Sequence, residues 1–157
     1  MRASREFRSL SRTCLLGFLL LALLVLSGCV TSEGGASGEL RRAAEHAQSA
    51  VATVEDSFSQ FRRGRTLSTV AETTAEDMLS QLEKAQKQVF ELSDDTPTED
   101  RQRTAVLGEI TDAAAAISRA EDWLGDSSSQ SGVEVERLLM DSRDRLAARM
   151  DSLDPPR

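Results

Sequence analysis

Few side chains in this 157-residue chain could carry chemistry, and their spacing decides of which kind. The thiols are Cys14 and Cys29, and the only imidazole is His46. Arg62, Arg63 and Arg65 crowd one stretch and could grip a phosphate, a carboxylate or an acidic patch on a partner. The simpler reading of that cluster is that it complements the C-terminal dipole of a preceding helix. The run from Ser93 to Asp100, S-D-D-T-P-T-E-D, gathers the carboxylates that a calcium ion needs, but the EF-hand spacing is absent and acids at a helix start are favourable in any case. His46, between Ala44 and Ala47, has no second histidine for company, and catalytic zinc wants three protein ligands, so it reads as a solvated imidazole. Nucleophile elbow, phosphate-cradling glycine loop and metal triad are all missing, so no enzyme activity, cofactor or metal is expected.

The remaining candidate, Cys29, is defined by what precedes it. Residues 1 to 12 carry Arg2, Arg5, Arg8 and Arg12 against the single acid Glu6, and Cys14 to Leu26 is apolar over about the length of a signal-peptide core. A membrane-spanning helix needs about twenty such residues. Leu26-Ser27-Gly28-Cys29 then resembles the lipobox of bacterial lipoproteins. That resemblance implies a diacylglyceryl thioether on Cys29, cleavage between Gly28 and Cys29, and acylation of the new amino terminus, with palmitate the expected fatty acid. Several chains on one residue anchor firmly, because each buried methylene contributes about 0.8 kcal/mol while one chain alone is marginal. A single uncleaved transmembrane anchor is the alternative, and it puts the downstream domain on the same, extracytoplasmic side. Val30, where an aspartate commonly implies inner-membrane retention in the lipoprotein family, implies delivery to the periplasmic side of the outer membrane if the cell has two membranes.

Removing residues 1–28 changes the composition that matters. Those residues hold four Arg and one Glu, so the 19 basic and 26 acidic residues of the whole chain fall to 15 and 25, a net charge of −10. Such a surface repels nucleic acid and anionic headgroups, so a nucleic-acid partner is excluded and membrane contact is expected through lipid on Cys29 alone. With Cys14 discarded and Cys29 acylated, no thiol remains for a disulfide, and the domain must be held by its core. Residues 29–38 are small and flexible and read as a tether, able to span about 15 to 18 Å as a random coil.

From residue 39 to 157 the apolar residues recur at alternating spacings of three and four, the signature of one helix face. The sets are Leu40, Ala44, Ala47, Val51, Val54, Phe58, Phe61; Ala71, Ala75, Met78, Leu82, Ala85, Val89, Leu92; Val106, Ile110, Ala113, Ile117, Ala120, Leu124; and Val135, Leu139, Ser142, Leu146, Leu153, with Arg149 standing at an expected core position. Phe90 and Trp123 sit one place beside their stripes, and the alanine run 113–116 permits close helix approach. Gly64 and Gly125 read as helix stops, while Thr96-Pro97-Thr98-Glu99 and Ser131-Gly132-Val133-Glu134 read as capping boxes. Helices are thus predicted over 39–63, 66–93, 97–124 and 132–153. Short connections between such long helices imply an all-α, up-down-up-down four-helix bundle, with helical hairpins in a coiled-coil oligomer as the alternative.

The expected function is that of a structural, adaptor or chaperone-like module of the bacterial cell envelope, working with an envelope protein of unknown identity. A small-ligand binder is the alternative, with Gly108, Ser118 and Ser142 as the small or polar residues that could open a cavity inside the bundle.

Overall fold

A computed structural model describes residues 35–93, 96–127 and 131–153. The basic and apolar leader, the lipobox with Cys29, Val30, and the acids Asp94 and Asp95 lie outside the described residues. Gly35–Arg157 forms a compact unit. Its four helices are α1 (Ala36–Arg62), α2 (Ser68–Phe90), α3 (Pro97–Gly125) and α4 (Gly132–Leu153), and there is no strand among the described residues.

Direction and neighbourhood follow from pairs of side chains. Arg62, at the end of α1, is bonded to Glu136 near the start of α4, and Arg143 of α4 reaches Glu55 of α1 at 2.8 Å, so these two helices are antiparallel. Gln86 of α2 donates to Thr111 of α3 at 3.1 Å, while Arg145 and Arg149 in the second half of α4 meet Glu109 near the middle of α3. Ser37 donates to Gln102 at 3.3 Å, and Phe58 lies edge-on to Trp123 with ring centroids 5.0 Å apart, so α1 and α3 run parallel. Each helix packs on its sequence neighbours, and α4 closes back on α1. The result is an up-down-up-down four-helix bundle.

One diagonal is short. The Cα atoms of α1 and α3 approach within 8 Å, whereas those of α2 and α4 do not. Alanine explains the difference, because a methyl group lets two backbones come close. Helix α1 buries Ala43, Ala44, Ala47 and Ala50, and α3 buries Ala113, Ala116 and Ala120. These two helices touch three neighbours each and so bury wide faces. Ala43, Ala50 and Ala116 extend the predicted stripes for that reason. All of the predicted stripe residues lie in the core except Phe61, Met78 and Leu92, which pack half-buried at its margin.

The helix ends depart from expectation in five places. Helix α1 begins at Ala36 rather than 39, running through Gly38 because the Ser37 hydroxyl fastens that turn to α3. Helix α2 is shorter at both ends, Ser68–Phe90, as Leu67 takes the N-cap position in an extended conformation. Gly125 is the last helical residue of α3 rather than a left-handed stop; the chain leaves at Asp126 in an extended conformation. The Ser131 backbone carbonyl, rather than its hydroxyl, accepts from Glu134 and Val135 at the start of α4. At α3 the expected Thr96 cap is present: the Glu99 amide donates to Thr96 Oγ1 at 3.2 Å, Thr96 Oγ1 donates to the Glu99 carboxylate at 2.9 Å, and Pro97 occupies the first turn.

Candidate interaction site

The connection between α1 and α2 is a rigid corner. Its rigidity comes from Gly64, whose φ of +68° lets the Gly64 amide donate to the Phe61 carbonyl at 2.8 Å and the Arg65 amide to the Gln60 carbonyl at 2.9 Å. These are the two bonds of a Schellman cap, which satisfies carbonyls that the helix end would otherwise leave unpaired. Gly64 therefore stops the helix as its position predicts.

The corner separates the three arginines that the sequence places together. Arg62 turns inward to Glu136 of α4, both side chains being about seven-tenths covered. Its Nε also lies close to Gly132, which in turn lies against Trp123. Arg63 and Arg65 are exposed and make no ion pair among the described residues. Two unpaired guanidiniums on an acidic surface are suited to planar, bidentate pairing with carboxylate or phosphate.

Beside them stand two apolar residues that periodicity did not single out. Leu67 is 71% exposed at the N-cap of α2, and Val70 is half exposed one turn on. A helix start favours Ser, Thr, Asp or Asn at the cap, a preference of about 1 kcal/mol over an apolar residue, and here no side chain caps the helix. The signal was present in sequence as a leucine in front of Ser68, but it becomes legible only once the helix start is known. Local preference is given up at a corner that also carries the free cations, the kind of conflict found where a surface serves a purpose other than stability.

Beneath the corner the aromatic residues form a plug. Phe58 is fully buried, Phe61 half-buried, and Trp123 meets both edge-on at centroid distances of 5.0 and 6.3 Å. Phe90 stands apart at the opposite end of the bundle, 71% exposed. At that same end Glu39, Arg42 and His46 of α1, Gln88 and Val89 of α2, and Leu92 just beyond it line an open groove of about 440 Å³. His46 is exposed there, and Arg42 is paired with Glu39. Gly108 is exposed on α3, Ser118 is half-buried and Ser142 is buried on α4, so the structure does not bring these three to one cavity wall.

The molecule is thus an all-α four-helix bundle whose two ends differ, one bearing a cationic and apolar corner and the other an open groove. Comparison with protein families, curated proteins and solved structures finds no match to this chain. No described helix is long and apolar enough to cross a membrane.

Proposed function

We propose that the chain is a lipid-anchored structural or adaptor module of the bacterial cell envelope, held to the membrane by acyl chains on Cys29 and presenting its bundle to an envelope protein. The observation that carries this reading is the succession of basic segment, apolar run and Leu26-Ser27-Gly28-Cys29, followed after a few small residues by a helix that begins at Ala36. The polarity of the bundle supports it. The α1 N-terminus leads back to Cys29, while Arg63, Arg65 and Leu67 lie at the other end of a 27-residue helix, about 40 Å away. An anchored bundle of this kind offers its cationic corner away from the lipid, toward a partner with acidic and apolar side chains.

Blocking the lipoprotein signal peptidase with globomycin, and separately substituting Cys29→Ala, tests the anchoring. The proposal expects precursor accumulation in both cases and loss of the mature form from the membrane fraction. Unchanged processing in both would overturn it.

A second reading, binding of a small ligand, has one specific observation in its favour, the groove between α1 and α2. Its position on the surface makes it a different site from the interior cavity that a bundle core could enclose. Thermal shift with a ligand library, lost on His46→Ala and Arg42→Ala together, is the outcome that would promote this reading.

A further inference from the structure

The face of α4 directed away from the core carries Val133, Arg137, Met140, Asp144 and Ala148, at steps of four, three, four and four residues, which place all five on one stripe. Every one of them is exposed, and the buried residues Val135, Leu139, Ser142 and Leu146 occupy the opposite side. Val133 is 63% and Met140 45% exposed, two large apolar side chains on a helix that already has a complete inner seam. Arg137 makes no ion pair among the described residues. The Asp144 side chain is 70% exposed and has only a 3.6 Å contact with its neighbour Arg143, whose closer partner is Glu55 at 2.8 Å.

We propose that this stripe is a self-complementary docking surface on which a second copy of the chain pairs antiparallel through α4. One register satisfies every residue on it. The midpoint of Arg137 and Asp144 falls between Met140 and Asp141, so a dyad beside Met140 sets Arg137 against the partner's Asp144 and Asp144 against the partner's Arg137. Val133 precedes Arg137 by four residues and Ala148 follows Asp144 by four, so the same dyad sets Val133 against the partner's Ala148, a bulky residue against a small one. Met140 meets its own copy at the axis, where an unbranched thioether adapts to fill the gap. Twofold symmetry makes each contact twice. Parallel pairing would instead set Arg137 on Arg137 and Asp144 on Asp144, with repulsion at both positions.

The stripe spans about 22 Å. One helix pair of that length sits at the small end of specific interfaces, below about 1,200 Å², so the association is weak and reversible in solution. It does not depend on lipid attachment, and two copies on one membrane form it only with both bundles lying along the surface. The dyad places the two α1 N-termini at opposite ends of the pair.

Residues 35–157 form one compact unit that holds the whole described core, and a helical circular dichroism spectrum of this piece precedes the test. Sedimentation equilibrium from about 10 µM to about 1 mM should show the average mass rising from monomer toward dimer, less so at high salt. Arg137→Asp and Asp144→Arg should each remain monomeric with unchanged helical circular dichroism. An equimolar mixture of these two variants should associate again, since one chain then offers two carboxylates to the other's two guanidiniums. A native chain that stays monomeric throughout, or single variants that associate as well as the native chain, would overturn the proposal. So would loss, on these substitutions, of binding to a different envelope protein by a chain that never self-associates.

Discussion

Gly132 lies against the Trp123 indole so closely that a Cβ at this position would sit 2.9 Å from Cζ2 and 3.1 Å from Arg62 Nε. The contact joins the start of α4 to the end of α3 and to the Arg62–Glu136 pair, and the indole cannot retreat freely because Phe58 and Phe61 stand behind it. Gly132→Ala should therefore destabilise the bundle by about 1 to 3 kcal/mol, the usual cost of overpacking. Urea unfolding followed by fluorescence checks this directly, since Trp123 is the only tryptophan and its emission should shift in the folded variant.

Two other glycines separate backbone effects from steric ones. A Cβ on Gly64 would meet nothing within 4 Å, yet its φ of +68° is strained for any L side chain. Gly64→Ala should cost about 1 kcal/mol. Gly108 is exposed in the interior of α3 with equally open space and no positive φ, so Gly108→Ala should gain about 0.5 to 1 kcal/mol. Opposite shifts in the urea midpoint are the expected outcome, and equal signs would contradict the account of the Schellman cap.

Ser142 occupies a core position on α4 with 1% exposure, and its Oγ has no hydrogen-bond partner. A buried hydroxyl without a partner costs stability that a methyl group does not. Ser142→Ala should accordingly stabilise the protein, by about 1 kcal/mol. A clear loss of stability in chemical denaturation would mean that the hydroxyl is satisfied in solution.

Arg149 stands where the inner seam of α4 expects an apolar residue, and the structure supplies the reason. Its guanidinium reaches Glu109 of α3 at 3.5 Å, and Glu109, with a side chain only 17% exposed, also meets Arg145 at 3.3 Å. Glu109→Leu leaves a half-covered arginine beside an apolar surface and should cost about 1 to 3 kcal/mol. Adding Arg149→Leu should recover most of that loss, because replacing both members of a covered pair by apolar groups is often neutral. A double-mutant cycle with no coupling would show that the pair contributes nothing.

The inner stripes were legible because each helix buries a face whose period is set by its own geometry, and every residue assigned to the stripes of α3 and α4 is buried. The width of the faces was not legible. Ala43, Ala50 and Ala116 are buried because α1 and α3 meet across the diagonal, a property of the assembled bundle rather than of either helix. At the candidate corner the arginine cluster was visible as composition. The division of labour within it, with Arg62 bonded to α4 and Arg63 and Arg65 left to solvent, depends on where the chain turns at Gly64. The place of Leu67 has the same origin, since an α2 beginning at 66 would have put it inside the first turn rather than at the cap.

Lipid attachment at Cys29 is the central claim, and the mass of the native amino terminus tests it most directly. The protein extracted by detergent from its own membranes should lack Met1 to Gly28, and its first tryptic peptide should begin at Cys29 and carry the mass of a diacylglyceryl group, with a further acyl chain on the amine where the cell adds one. An N-terminal peptide that retains Met1, or one that begins at an unmodified residue after Gly28, would contradict the account.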